Sequence, residues 1–347
     1  MTSPDTTVSR SPWARGSRVL SGQTTAYVVK RLLQAVLTLW LVSLLSFFMI
    51  QLAPGNYLDT LKLEPTIDPQ TIEQLTQQFG LDKPIWEQYT RWLWQALHGN
   101  LGTSFSYRIP AATLIGQRVL NTLLLAISSI IVTWGVAIPL GIFCAVNQNR
   151  WIDRTIQLLS YTLQGFPSFI AALLFLVIAQ NTPLFPVGGM TSISFAELSP
   201  LGKVLDIAWH MILPTLALSV TSFAGLQRLT RGNLLDVLRQ NYIQTARAKG
   251  LSENRVIYFH ALRNAINPLV TLLGFEFASL LSGAFIAETL FNWPGLGKLI
   301  LQAVQQKDLY VVMASLLIGA AMLVIGNLLA DLLLKAVDPR ISLDKLD

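Results

Sequence analysis

The sequence predicts an all-α, polytopic membrane protein with six transmembrane helices and both termini on the same side. Three observations carry that prediction. Only 13% of the 347 residues are charged, about half the share of an ordinary soluble domain. The apolar set AVILMFWYC makes up 52% of the chain, and the mean hydropathy is +0.50. The apolar residues are also gathered into six runs long enough to cross a bilayer, which takes roughly 20 residues. The same composition excludes disorder over most of the chain. Cys144 is the only cysteine, which excludes a disulfide framework.

The runs are 32–52, 121–146, 155–182, 208–227, 268–287 and 309–330. The first three carry no charge, the fourth holds His210, the fifth holds Glu276, and the sixth is followed at once by Asp331. The first run is too long for a signal-peptide core and no small-residue cleavage site follows it, so it reads as a retained span. The chain divides into a Ser/Thr-rich cytoplasmic tail (1–27), a first transmembrane helix (28–53), an external loop (54–118), a five-helix core (119–337) and a cytoplasmic C-terminal tail (338–347). Pro139, Pro167 and Pro214 lie within spans and read as kinks.

Charge sets the orientation. The N-terminus, residues 147–154, residues 228–266 and the C-terminus hold 17 of the 25 Lys and Arg residues. By the positive-inside rule these segments are cytoplasmic, and an even number of spans agrees with that. The formal net charge of +6 is ambiguous by itself between nucleic acid and topology. Its distribution, net positive on one side and slightly negative on the other, is a topology signal and leaves no role for a nucleic-acid partner.

The external loop has structure of its own. Asp68-Pro69 reads as an N-cap followed by proline at the first helical position, and Gly80 ends that helix. Pro84 opens a second helix with Ile85, Trp86, Tyr89, Trp92, Leu93 and Leu97 at helical spacing, ending near Gly99. Trp86, Trp92 and Trp94 suit a helix lying at a membrane–water interface or on the spans; a lid or docking surface is the alternative.

Residues 228–266 hold seven of the basic residues. A short helix through Tyr242, Ile243, Gln244, Thr245, Ala246, Arg247, Ala248 and Lys249 stops at Gly250, a left-handed C-terminal position. Ser252 is placed to cap a second helix carrying Arg255, His260, Arg263 and Asn264, before Pro268 enters the membrane. Tyr242, Ala246 and Gly250 share one helix face at i, i+4, i+8. Two of the three are small, so another protein's backbone can approach, with Arg247 and Lys249 as flanking charges. A solvated positive loop explains the charge but not the small-residue face or the glycine stop.

Asn241-Tyr242-Ile243-Gln244-Thr245-Ala246-Arg247-Ala248-Lys249-Gly250, followed by Arg255, His260-Ala261-Leu262-Arg263-Asn264-Ala265 and Pro268, resembles the EAA-type coupling loop of binding-protein-dependent ABC importer permeases. It is most similar to the first membrane subunit of the dipeptide, oligopeptide and nickel importers. Further stretches agree in order: Ala53-Pro54-Gly55-Asn56, Phe79-Gly80-Leu81-Asp82, Gly99-Asn100-Leu101-Gly102, Phe185-Pro186-Val187-Gly188-Gly189, an external turn Glu288-Thr289-Leu290-Phe291-Asn292-Trp293-Pro294-Gly295-Leu296-Gly297, Asp331, and Asp338-Pro339-Arg340. One departure stands out: the family's Glu-Ala-Ala reads Thr245-Ala246-Arg247. The resemblance implies a type I ABC importer permease fold in a bacterial inner membrane. It implies a related second permease subunit, two cytoplasmic ATPase subunits that bind ATP and magnesium, and an external solute-binding protein. The short helix, with its loop over 240–252, would dock on an ATPase and transmit its motion to the spans.

The chain itself is expected to be non-catalytic and free of cofactors. Gly295-Leu296-Gly297-Lys298 is not a phosphate loop, because Asn292 and Leu299 occupy the positions where glycine and Ser/Thr belong; a tight turn returning to the membrane surface is expected. His98, His210 and His260 are scattered over both sides, against a metal site, and Cys144 reads as a small apolar residue. Glu276, an acid in mid-span, either lines the translocation route or hydrogen-bonds a neighbouring span. The competing function is a stand-alone secondary transporter or channel, which leaves the coupling loop unexplained and for which no internal repeat is evident.

Overall fold

The computed structural model describes residues 22–52, 55, 57–62 and 68–337; within the helices, the side chains of 22–28, 60–61, 221, 271, 274–283, 330–331 and 333–337 lie outside the description. Among the described residues the fold is helical, and β pairing is confined to an isolated bridge between Thr103 and Pro110.

Five long helices build the bundle. α1 (Gly22–Leu52), α5 (Ala111–Val146), α8 (Pro200–Leu238), α12 (Asn267–Leu290) and α14 (Leu309–Val337) run through it. Exposed Leu33, Val36 and Met49 on α1, Leu120 and Ile131 on α5, and Leu173 and Val177 further along leave an apolar outer surface suited to lipid. Helices α1, α5, the first half of α8, and α14 are each long and apolar enough to cross a bilayer. α12 coincides with the fifth apolar run of the sequence.

The third run, 155–182, is not one straight span. It is two helices, α6 (Trp151–Gln164) and α7 (Ser168–Asn181), bent by 101°. The break has a local cause. Pro167 disfavours helical backbone at Phe166 and cannot donate a backbone hydrogen bond itself, and it ends as the N-cap of α7. Pro139 and Pro214, in contrast, lie inside continuous helices. Hydropathy averages over such a corner, so up to five spans are recognisable among the described residues when the bent pair is one of them.

Several helices are longer than their apolar runs. α5 begins at Ala111 and not near 119, and α1 begins at Gly22, inside the segment expected to be tail. α8 has 39 residues, about 58 Å at ~1.5 Å per residue. It therefore reaches well beyond a ~30 Å hydrocarbon layer, and its last turns take up the first third of the basic segment 228–266. α5 and α8 make the most extensive helix pair. Their close approach depends on Gly141, where a Cβ would stand 2.6 Å from the Thr230 side chain and 2.8 Å from the Gln227 carbonyl.

Four short helices complete the end of the bundle opposite the basic segment. α2 (Tyr57–Leu61) follows α1. α3 (Pro69–Phe79) starts as expected: the Asp68 side chain accepts from the Gln70 N–H at 3.0 Å, Pro69 is in the first turn, and Gly80 closes the helix at φ +67°. In α4 (Ile85–Leu97), Trp86 and Trp94 are exposed as an interfacial helix requires, but Trp92 is buried among Phe47, Tyr89, Phe105, Leu309 and Met313. Its indole N–H donates to the Leu101 carbonyl at 3.3 Å. α4 thus lies on the spans through Trp92. The expected turn after the fifth run spans Phe291–Gly295, with Asn292 at φ +54°, and leads into α13 (Leu296–Gln305), a ten-residue amphipathic helix with Leu296, Leu299 and Ala303 buried.

Candidate functional site: the basic loop and its supports

The loop between α8 and α12 consists of α9 (Asn241–Ala248), the single turn α10 (Glu253–Arg255), a π-helical segment over Val256–Ala261, and α11 (Leu262–Ala265). The glycine stop is where the sequence placed it. Gly250 has φ +76°. Its N–H donates to the Arg247 carbonyl at 2.9 Å and the Leu251 N–H to the Ala246 carbonyl at 3.4 Å, the paired bonds of a Schellman ending. A side chain at Gly250 would meet no atom within 4 Å, so the position is both left-handed and open.

The faces of α9 differ from the sequence reading. Ile243 and Ala246 are buried against Leu234, Val256 and Ile257. Ala246 is therefore part of the underside and does not belong to a free small-residue face with Tyr242 and Gly250. Tyr242 is exposed along one edge, where its hydroxyl accepts from the Asn264 amide at 2.8 Å. The outward surface is formed by Gln244, Thr245, Ala248, Lys249 and Gly250. Arg247 is turned sideways onto Glu253, with Nη2 and Nε donating at 2.5 and 3.1 Å. Those bonds hold its guanidinium protonated above its ordinary range. Ser252 stands at the N-cap of α10, but its side chain makes no capping bond. The second helix expected there contains a π segment, which turns Tyr258 and Phe259 outward while burying Val256 and Ile257. Arg255, Arg263, Asn264 and Pro268 are exposed, and His260 is half-buried.

Behind the loop lies an ion pair that no sequence signal marked. Asp153, on the first turn of α6, is 2% exposed at its side chain. It accepts from Arg231 Nε and Nη2 on α8, both at 2.8 Å, and from the Asn149 N–H at 2.9 Å. Nearby, Ser160 on α6 donates to Gln227 on α8 at 2.9 Å, and Cys144 is buried. These bonds fasten α6 to the stretch of α8 that leads into α9. The two partners are 78 residues apart, and in the sequence each counts only as a loop charge.

At the opposite end, the external turn is a buried polar node. Glu288 has no exposed surface. It accepts from the Thr122 hydroxyl of α5 at 2.5 Å and from the Lys298 N–H at 3.0 Å. Thr122 in turn accepts from the Leu296 N–H at 2.8 Å. A carboxylate and a hydroxyl from two other helices thus cap the N-terminus of α13. Gly295 leaves the room, because a Cβ there would run into the Glu288 carboxylate; at Gly297 a Cβ would first meet the Phe285 backbone at 2.6 Å, so its absence lets α13 approach α12. Asn121 joins the node by donating to the Pro294 carbonyl at 2.8 Å and accepting from Trp293 Nε1 at 3.1 Å through its own carbonyl. Past the far end of α13, buried Asp308 accepts from Ser104 Oγ at 2.5 Å and the Ser106 N–H at 3.1 Å. Thr122, Asn121 and Asp308 carry no sequence signal; the partners of Thr122 and Asn121 lie in the turn that the sequence marks, whereas Ser104 and Ser106, the partners of Asp308, do not.

Glu276 lies on α12, and its side chain is outside the described residues, as are that of Asp331 and all of Asp338-Pro339-Arg340. Among the described residues no three His, Cys, Asp or Glu side chains converge as metal ligands.

Comparison with known proteins places this arrangement. A family profile described as "Binding-protein-dependent transport system inner membrane component" matches residues 137–343, and its N-terminal counterpart matches residues 24–126. The chain is 39% identical over 319 residues to the oligopeptide transport system permease protein AppB of Bacillus subtilis (strain 168), covering 91% of this chain and 99% of AppB. It is 37% identical over 332 residues to the dipeptide transport system permease protein DppB of Escherichia coli (strain K12), covering 91% and 98%. It is 38% identical over 318 residues to the glutathione transport system permease protein GsiC of the same strain, again covering 91% and 98%. Among solved structures, an inward-facing form of the MetNI methionine ABC transporter superposes with a TM-score of 0.53 at 16% identity, covering 65% of this chain and 96% of that one. That likeness is one of fold.

Proposed function

The chain belongs to the family of binding-protein-dependent transport system inner membrane components, and from that premise we propose that it is one permease half of an ATP-driven importer of di- or oligopeptides in a bacterial inner membrane. A related permease chain forms the other half of the pathway. Two ATPase subunits on the cytoplasmic side bind ATP and magnesium and carry out the hydrolysis, and a solute-binding protein delivers substrate outside. In this reading the chain crosses the membrane six times, once per apolar run, with both termini cytoplasmic, as the distribution of Lys and Arg supports.

The observation that carries this reading is α9. It is held out from the bundle, packed from beneath by Ile243 and Ala246, and leaves Gln244, Thr245, Ala248, Lys249 and Gly250 outward. A helix fastened on one face and open on the other acts as a lever. An ATPase docked on the open face moves α9, and the helices packed on its underside move with it. Peptides are favoured as substrate because AppB, DppB and GsiC are named for oligopeptide, dipeptide and glutathione transport.

Gly250→Glu tests the lever. The new side chain would have room, and left-handed backbone costs about 1–2 kcal/mol, so insertion and assembly should persist. Uptake by the reconstituted complex should be lost; normal uptake would remove the lever. An uptake panel of dipeptides, longer peptides, glutathione and nickel, each with ATP and with a non-hydrolysable analogue, identifies the substrate class.

A further inference from the structure

Beside α9 the fold opens a recess of about 410 Å³. Its lip carries Arg150 from the α5–α6 turn, Arg239 at the end of α8 and Arg247 from α9, its floor includes Leu238 and Ile257, and exposed Val146 lines the edge. The three arginines are far apart in the chain and belong to three different elements. Two of them are oriented: Arg150 Nη1 donates to Asn147 Oδ1 at 3.0 Å, and Arg247 is bound by Glu253. Arg239 is exposed. The one acid on the lip, Glu253, is already engaged with Arg247, so the rim keeps an excess of positive charge over an apolar floor.

We propose that this recess receives an acidic side chain of the partner ATPase, an Asp or Glu beside an apolar residue, as a second point of engagement next to α9. The proposal rests on the reading that α9 docks on that ATPase. Planar guanidinium groups suit a carboxylate, and the apolar floor suits its stem or neighbour.

The recess runs from Val146, the last residue of the second apolar run, outward to Arg239, and its outer lip on α8 and α9 favours a protein occupant over a lipid headgroup. Arg239 lies twelve residues beyond Gln227, where the fourth apolar run ends. That is about 18 Å along the helix, and still about 14 Å if α8 is tilted by ~40°. The headgroup layer extends only about 5–7 Å past the hydrocarbon on each side.

The test uses the complete complex in nanodiscs. Arg150→Glu/Arg239→Glu changes two exposed positions outside the α9 docking face, so the chain should insert normally. Affinity for the ATPase should fall at least about tenfold at low salt, and the salt dependence of association should flatten. Substituting Lys for one acidic residue on the ATPase surface should restore it. Gly250→Glu run in parallel separates the two claims. If Gly250→Glu abolishes uptake while the double variant binds the ATPase like the parent at every salt concentration, the recess proposal is overturned and the lever stands. If Gly250→Glu transports normally, the reading beneath the proposal falls instead. A defect seen only in nanodiscs containing anionic lipid would also overturn it, by assigning the recess to a headgroup.

Discussion

The two ends of the bundle solve the same problem in opposite ways. Each must end a helix, turn the chain and start another helix beside a glycine. At the loop end, Gly250 closes α9 with backbone bonds alone, the Arg247–Glu253 pair stays in solvent, and α9 is held mainly by Ile243 and Ala246 beneath it. At the opposite end, Gly295 makes room for a carboxylate with no exposed surface, and the first N–H groups of α13 are satisfied by side chains of α5 and α12. An apolar underside is non-directional and tolerates sliding, whereas a buried network of directional bonds does not. The loop end is therefore built to shift as a unit, and the other end to stay in place.

That contrast has an internal boundary, set by Asp153 and Arg231 immediately behind the loop, where the Asp153 carboxylate is nearly as buried as the acids of the far end and Arg231 is half-buried. Asp153→Ala leaves the Arg231 guanidinium without its buried partner and should produce the largest loss, about 3–5 kcal/mol. Thermal unfolding in detergent measures it; a parent-like midpoint would mean that α6 is not fastened to α8 by this pair. Glu288→Ala strands the Thr122 hydroxyl and the Lys298 N–H in a buried site and should cost on the order of 3 kcal/mol. If proteolysis of that variant still begins at the basic loop and not near α13, the rigidity of the far end does not depend on Glu288. Ile243→Ala should cost about 2 kcal/mol, the low end for such a truncation, because α9 at the surface can resettle. It should also speed amide exchange within α9 while leaving α13 unchanged. Glu253→Gln should change stability by no more than about 0.5 kcal/mol, since the pair is half in solvent and screened by salt. A large effect there would show that the loop depends on the ion pair and not on its apolar underside.

Local features were readable because their causes are local. The Asp68-Pro69 start and Gly80 end of α3, the Gly250 stop of α9, and the apolar runs that became α1, α5, α12 and α14 each follow from a few adjacent residues: a cap, a missing Cβ, an unbroken stretch that water would not solvate. The misreadings have one pattern. Helical spacing places Ala246 on an open face with Tyr242 and Gly250, but spacing defines a face without saying what that face meets. The 155–182 run looked continuous because hydropathy weighs composition, while the corner at Phe166-Pro167 is a matter of backbone sterics.

The amino-acid order alone settled that this chain is helical, that its apolar runs belong in a membrane, and that one loop carries a concentrated positive charge with a glycine stop, since each depends on neighbours along the chain or on bulk composition. The pairing of Asp153 with Arg231, the capping of α13 by Glu288 and Thr122, and the gathering of Arg150, Arg239 and Arg247 around one recess were decided by the packing of α5, α6, α8, α9 and α12. Those contacts join residues tens to hundreds of positions apart. Their energies come from burial and from the geometry of charged hydrogen bonds, and neither exists until the helices are in place.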